Sequence, residues 1–479
     1  MKDLTTGSPL KQILIFAVPL LLGNICQQLY NVIDIWVVGR YCGKEALAAV
    51  GGGTSPLISL VTWFVYGVHS GNSIITGQYY GAKNMEKVQR SIAVSFMCCF
   101  IITIPVQIIA GMLAYPILRL MNTPDDVLDL AALYFWITMS FGGFSIVTMQ
   151  LNLILRALGD SVTPLIFMIF STLLNLSLNL FFVIHLGWGV AGVAWATIIA
   201  QVSAMVLSVS YALWKYPLLR LKWNVWKNGA AFYWEHLRLG LSIGGQNCIT
   251  AFGIVVLQVV VNGFGTDALS GLSAMAPVEM LIVFPLGTVT VALSTYCAQN
   301  YGAGLLRRIR LGVYKTMIAS GIFTIALSVL IFIFAPQLIG IFLKNNAENA
   351  EAIRYGVWCL RLVSPLYPVL VLLLIYRNAL QGMGCPKYPF FGGVLEMISR
   401  LIGAFLLAQL FGFTGAVLSH PLAWIMASAL LLIGYFRKIR HLKEHGFPDG
   451  EKRPHNSWKK FSKNACIFLL AVYFTGVSV

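Results

Sequence analysis

Gly43-Lys44-Glu45-Ala46-Leu47, an apolar stretch ending at Tyr80-Gly81-Ala82, and a basic cluster at Lys83, Lys87 and Arg90 make up a passage that this chain writes twice. Roughly 220 residues later Gly265-Thr266-Asp267-Ala268-Leu269 leads through a second apolar stretch to Tyr301-Gly302-Ala303 and to Arg307, Arg308 and Arg310. The pairing continues downstream. Gly159 precedes Pro164 as Gly384 precedes Pro389, and Ala191-Gly192-Val193-Ala194 answers Thr414-Gly415-Ala416-Val417. Both copies lie in sequence apolar enough to cross a membrane. Two similar halves that rock about a site between them are the architecture of carriers, so the duplication decides the fold before any single residue does.

Composition agrees. Hydrophobic residues make up 58% of the 479 and charged residues 10%, the mean hydropathy is +0.79, and a soluble domain is usually about 25% charged. A span needs roughly 20 apolar residues. Twelve such stretches are expected, near 10–38, 46–78, 88–117, 128–157, 162–184, 190–214, 237–261, 269–299, 311–343, 352–380, 390–410 and 416–436. The predicted fold class is an all-α polytopic membrane protein of twelve transmembrane helices in two six-helix lobes. Because each half holds an even number of spans, both start on the same side and relate by a pseudo-two-fold along the membrane normal. The lobes are expected at 1–214 and 237–437, joined by a basic linker at 215–236 with interfacial aromatics Trp214, Trp223, Trp226 and Trp234. Residues 438–479 read as a basic tail whose apolar end, Asn464–Val479, is short for a thirteenth span.

The formal net charge of +16 is explained by topology rather than by nucleic acid. If the N-terminus is cytoplasmic, Lys and Arg crowd the loops on that side, and the opposite loops keep only Arg40, Lys44, Arg119, Lys344 and Arg354. That is the positive-inside pattern of a multi-pass plasma or inner membrane protein. Nine cysteines form no CxxC, seven histidines no HExxH, and no GxxxxGK[ST] nucleotide loop is present. A non-enzymatic carrier without a cofactor is expected, driven by an ion gradient or by a separate ATPase chain.

Of seventeen acidic residues only Asp34, Glu279 and Glu396 fall inside predicted spans, where a lipid-facing carboxylate costs about 2.5–3.5 kcal/mol and so normally faces the bundle interior. Asn24, Gln27, Gln28, Asn31 and Asp34 follow helical spacing and form one polar stripe on span one. Span five offers Ser171, Asn175 and Asn179 on one face, and span six Thr197 and Gln201. A carboxylate, amide carbonyls and a hydroxyl are hard oxygen ligands for a small cation such as sodium. The same set can tune a proton-binding carboxylate or serve as polar glue between helices. Gln28, Asn31, Glu279, Glu396 and Arg400 are candidate cavity or substrate groups. Glu396 and Arg400 stand at i, i+4 and can pair within their helix; Glu279 has no local partner, and Arg361 is a distant one. Pro19 removes a helix hydrogen bond, which makes span one a candidate moving part.

Ala17-Val18-Pro19, Asn31-Val32-Ile33-Asp34, Gly39 with Gly43 and Ala46-Leu47-Ala48-Ala49, Gln78 with Gly81-Ala82, and Arg156-Ala157-Leu158-Gly159-Asp160 resemble the bacterial type of the multidrug and toxic compound extrusion (MATE) family. The resemblance covers essentially all of 10–436. It implies a two-lobe fold and export of small amphipathic, cationic organic molecules from a monomer surrounded by membrane lipid, in antiport with sodium or protons. By the same resemblance Asp34 belongs to an N-lobe cation site with Asn175 and Thr197, which would be the metal ligands if sodium is the coupling ion. Some members carry Asp where this chain has Asn179, which leaves Asp34 as the main titrating group. Two other readings stay open here. One is a flippase for a lipid-linked precursor, which needs a wide Arg-rich cavity and has Arg361, Arg377 and Arg400 to offer. The other is a membrane transferase, whose nearest acidic motif is Asp125-Asp126-Val127-Leu128-Asp129.

Overall fold

The computed structural model describes residues 2–447 except 44–45, 47–48, 51–53, 122, 124, 222, 227–228, 345 and 348, and gives backbone alone at 56, 120, 125–126, 223–224, 255–256, 258–259 and 262. The apolar tail 464–479 lies outside the described residues. Twelve long helical segments follow one another: α1 (Pro9–Tyr41), α2 (Ser55–Gly81), α3 (Met85–Met112), α4 (Asp125–Phe141 and Gly143–Ala157), α5 (Val162–His185), α6 (Gly189–Lys215), α7 (Ala230–Asn262), α8 (Thr266–Gly302), α9 (Leu306–Ile333), α10 (Ala350–Gly382), α11 (Lys387–Ile402 with a π turn at Gly403–Leu407) and α12 (Ala408–His445). Among the described residues, eight stretches are long and apolar enough to cross a membrane, or nine if the two parts of α4, bent by 49°, count as one span. One of the eight, Lys387–His445, holds both α11 and α12. Ala408–His445 is itself broken at Gly412, whose φ of 59° and ψ of −141° are not helical, so its first turn continues α11 and the last span begins after it.

α2 and α7 fall short of that apolar set by composition, and they pack closely on each other. A methyl on Gly67 would lie 2.5 Å from the Gly244 Cα, and one on Gly71 would lie 2.5 Å from the Gly240 Cα. Two small-xxx-small pairs thus bring the backbones together, as in other close helix pairs in membranes. Three expected boundaries shift. α3 stops at Met112 and Ala114–Leu120 is a separate helix; α9 stops at Ile333, with Pro336 opening the next helix, Ala335–Phe342; and α12 runs on past residue 436 to His445.

The pseudo-two-fold is visible in contacts that swap partners. A methyl on Gly81 would lie 1.9 Å from the Gln299 carbonyl oxygen, and one on Gly302 would lie 1.7 Å from that of Gln78. Gln78 Nε2 donates to the Gly382 carbonyl at 2.8 Å, while Gln299 Nε2 donates to the Ala157 carbonyl at 2.8 Å. Each residue in these pairs is the other's counterpart in the duplication, which is what a two-fold contact requires. This seam closes the lobes at the end of the bundle that carries the basic loops.

Residues 2–7 thread into the same seam. The Lys2 amide donates to the Gly159 carbonyl at 3.0 Å, and the Leu4 amide to Gln299 Oε1 at 3.0 Å. Asn300 Nδ2 donates to the Leu4 carbonyl at 3.1 Å, and Arg308 donates to the carbonyls of Gly7 and Thr6, each at 2.9 Å. Leu4 is fully buried. Gly159 is required twice over, by its φ of +87° and because a methyl there would lie 2.0 Å from the Lys2 carbonyl oxygen.

Beside it, Asp160 organises the turn between α4 and α5. Its Oδ1 accepts the amides of Val162 and Thr163, both at 3.0 Å, and its Oδ2 accepts the Thr163 hydroxyl at 2.6 Å and the hydroxyl of Tyr216, just past α6. Burial alone would raise this carboxyl, but the donors of Thr163, Tyr216 and Val162 outweigh it and hold its pKa below the ordinary value. A depressed folded pKa contributes stability that is present above the unfolded value and is lost as pH falls through the folded one. Asp160→Ala is therefore expected to cost about 1–2 kcal/mol near neutral pH, as lost helix-start caps do. The deficit should shrink below about pH 4, read as the wild-type minus variant difference in thermal unfolding of the detergent-solubilised protein.

Candidate functional site

Asp34 sits near the end of α1, about two turns before that helix terminates at Tyr41. Its neighbours Ile35 and Trp36 are exposed on the outer surface, whereas Asp34 is 6% exposed and turned into the bundle. Asn175 and Asn179 stand one turn apart on α5, and Thr197 on α6 faces them. Asn179 Nδ2 donates to Asp34 Oδ1 at 2.6 Å and lies 3.1 Å from Asn175 Oδ1; the Thr197 hydroxyl donates to Asp34 Oδ2 at 3.3 Å; Asn175 Nδ2 donates to Thr197 Oγ1 at 3.4 Å. Asn175 and Asn179 are fully buried and Thr197 is 5% exposed. Tyr30, one turn before Asp34 on α1, and Tyr134 on α4 lie in the carboxylate's electrostatic field. Neither tyrosine was expected from the sequence, although the spacing of Tyr30 from Asp34 was a visible signal.

Two properties define what this arrangement can do. First, the carboxylate is held only by neutral donors: among the described residues it takes part in no salt bridge. Second, the Asn179 carbonyl oxygen is buried with no hydrogen-bond partner. A buried anion without a counter-charge, next to an unused carbonyl oxygen, asks for a positive charge from outside the protein. The oxygen-only set fits an alkali cation or a proton. Among the described residues no group of three or more His, Cys, Asp or Glu could hold a metal ion.

The rest of the α1 stripe does not join this site. Gln28 and Asn31 are exposed and touch each other at 3.5 Å. Asn24, on their face of the helix, donates to Thr288 Oγ1 of α8 at 2.9 Å. That face looks across to the other lobe, so Gln28 and Asn31 are placed at the space between lobes rather than around Asp34. Pro19 lies inside α1, which continues unbroken through it.

The second lobe holds a charged cluster. Glu396 and Arg400 do pair, but at 3.6 Å; the closer partner of Glu396 is Arg377 of α10, which the sequence offered only to the flippase reading. Glu396 is 1% exposed, Arg400 3% and Arg377 8%. Glu279 of α8 is half-buried, and the charge facing it is Arg400. Arg361, the expected distant partner, is exposed elsewhere: its Nε donates to the Phe332 carbonyl at 3.4 Å and its guanidinium lies over the Phe332 ring.

Known proteins share this fold and sequence pattern. The MatE family matches residues 19–181 and 243–406, one match in each half. The probable multidrug resistance protein YoeA of Bacillus subtilis is 30% identical over 343 residues, covering 69% of this chain and 73% of YoeA. The multidrug export protein MepA of Staphylococcus saprophyticus is 22% identical over 440 residues, covering 91% of this chain and 95% of MepA. A crystal structure of MATE in the bent conformation superimposes with a TM-score of 0.86 at 20% identity, covering 92% of this chain and 98% of that one. These relatives are transporters, and the transferase reading falls away with them; the Asp129 carboxylate on which it partly rested accepts the Tyr115 hydroxyl.

Proposed function

The chain belongs to the MatE family of multidrug transporters, and from that membership we propose that it is a secondary active exporter that exchanges amphipathic organic cations for sodium or protons. The observation that carries this reading is the uncompensated carboxylate of Asp34, buried between α1, α5 and α6. A cation binding there supplies the missing charge, with Asn175, Asn179 and Thr197 as oxygen neighbours. The substrate cavity is assigned to the space between the lobes, taken as 1–214 and 237–437 about the linker 215–236, with Gln28, Asn31 and Glu279 as its candidate groups. The seam at Gly81 and Gly302 closes that cavity on the basic side, which is the cytoplasmic side of a cell membrane by the positive-inside rule. Filling the Asp34 site changes the packing of α1, and Pro19 lets that helix bend as the lobes exchange access. A one-for-one exchange of monovalent cations moves no net charge, so the drive is the ion's own concentration gradient, about 1.4 kcal/mol and one decade of substrate ratio for each tenfold.

The test is efflux of a fluorescent organic cation from sealed vesicles containing the purified protein, under an imposed sodium gradient and separately a pH gradient. Efflux that follows one of the two gradients is expected and names the ion. Absence of efflux under both would sink the antiport reading.

A further inference from the structure

The two lobes differ at their basic ends. In the first, the chain leaving α6 makes a short helical turn, Pro217–Leu219, which packs against both α3 and α6. Gln89 of α3 donates to the Leu218 carbonyl at 3.3 Å, and Leu219 joins Val88 of α3, Leu151 of α4 and Ala212 of α6 in one buried apolar cluster. The linker thereby fills the groove between α3 and α6, and Leu151 on its floor is buried.

The second lobe repeats the groove without that filling. The register that pairs Tyr80 with Tyr301 pairs Gln89 with Arg310; that of Ala191 and Thr414 pairs Ala212 with Tyr435; that of Gly159 and Gly384 pairs Leu151 with Tyr376. α12 stays helical to His445, through the positions at which α6 gives way to the turn, and Phe447 beyond it goes to the Tyr301 ring of α8, 5.3 Å away. Among the described residues no turn crosses from α12 to α9. The floor is more open in consequence: Tyr376 is half-buried with its ring 5.0 Å from that of Tyr435, and neither hydroxyl is hydrogen-bonded among the described residues. Arg310 is exposed, its charge acts on the Tyr435 hydroxyl, and among the described residues it makes no salt bridge or hydrogen bond.

The chemistry around Arg310 selects a lipid. The same face of α9 continues toward the membrane through Tyr314 and Ile318, 63% and 45% exposed, and the neighbouring face of α12 through Phe436, 58% exposed. α9 carries no acid, and the acid of α12, Glu444, lies in its last turn. An arginine with two free hydroxyls above exposed apolar rows matches a phosphate headgroup with acyl chains. A zwitterionic headgroup would bring its own cation to a place with no acid to meet it. The rest of the chain carries Lys452, Arg453, Lys459, Lys460 and Lys463 against Asp449 and Glu451, so its charge is the wrong one for this groove. We propose that the groove between α9 and α12 binds one anionic phospholipid, its phosphate on Arg310 and the Tyr376 and Tyr435 hydroxyls, so that a lipid completes the second lobe where the linker completes the first. This partner is independent of the exporter reading, which needs no particular lipid.

The experiment counts lipids retained by the purified full chain in native mass spectrometry, after equilibration in micelles holding equal amounts of dioleoyl phosphatidylglycerol and dioleoyl phosphatidylcholine. The first lipid retained by wild type is expected to be phosphatidylglycerol by about fivefold or more, the factor that one basic group near an anionic headgroup supplies. Arg310→Gln, which installs the residue used by the first lobe, should lose that preference. Arg437→Gln removes an exposed arginine about 200° around α12 from Tyr435 and should keep it. Equal loss in the two variants would reduce the effect to a diffuse basic belt and overturn the site. Displacement of phosphatidylglycerol by inorganic phosphate would give the groove to a free anion and overturn the lipid. No preference in wild type, a comparison that needs no variant to fold, would overturn the proposal outright and leave the groove to the chain's own end.

Discussion

Asp34→Asn abolishes gradient-driven efflux and leaves the protein at least as stable as wild type: that is the expected result if the carboxylate exists for coupling. The two readouts must be taken together. Asn fills the same volume and can still accept from either Asn179 or Thr197, so one of the two hydrogen bonds to the acid survives. The other donor then faces an amide, at a cost of about 1–3 kcal/mol. Set against this is removal of a buried, unpaired negative charge, whose burial is worth at least as much in the opposite direction. The unfolding temperature should therefore hold or rise. Efflux, by contrast, loses its link to the gradient, about one decade of accumulation for each tenfold gradient of the coupling ion. A variant that unfolds early yet still exports against a gradient would show Asp34 to be glue between α1, α5 and α6, and the coupling site would have to be sought elsewhere.

The parts of this site that could be read from the sequence are those linked by helical spacing. Asn175 and Asn179 share a face because they stand one turn apart, and the structure brings both to Asp34. The same reasoning overreached on α1. At 100° per residue Gln28 lies about 120° around the helix from Asp34, enough for one to face the bundle and the other the space between lobes. Glu396 shows the limit more sharply. Its weak partner, Arg400, was legible at i+4, whereas its close partner, Arg377, sits on the preceding helix, where no periodicity connects the two. The duplication foretold two lobes but not how they touch. The glycine pairs Gly67 and Gly71 against Gly240 and Gly244 were visible as spacings, yet only the crossing of α2 with α7 gives them a partner. The arm at residues 2–7 carried no signal, because its hydrogen bonds use backbone carbonyls that any sequence possesses.

Gly302→Ala is expected to cut transport about 5- to 150-fold, since forcing one methyl into close packing costs about 1–3 kcal/mol. The added methyl would lie 1.7 Å from the Gln78 carbonyl oxygen, which belongs to backbone and cannot swing away. A carbon and an oxygen rest at about 3.3 Å, so α2 and α8 must part by more than an ångström at the seam. Parting them also strains the hydrogen bonds from Gln78 to Gly382 and from Gln299 to Ala157, and the arm's bond from Leu4 to Gln299. Each of these contributes about 0.5–1.5 kcal/mol net. All are contacts between lobes or with the arm, so the loss falls on the closed seam and not on the interior of either lobe. The variant should fold, elute as wild type, and populate states in which the seam is open. Spin labels placed on the two sides of the seam would report longer distances, and efflux would fall because the closed state is no longer reached often enough. Gly321→Ala on α9, where nothing lies within 4 Å of the added methyl, is the matched control and should change neither. The two-fold supplies a stricter test. Gly81→Ala meets the Gln299 carbonyl at 1.9 Å and should reproduce the defect from the other side. The double variant should be less than additive, because the first substitution has already separated the backbones that the second would push apart. Full additivity, or wild-type transport by either single variant with the seam still closed, would mean that the two contacts do not form one gate.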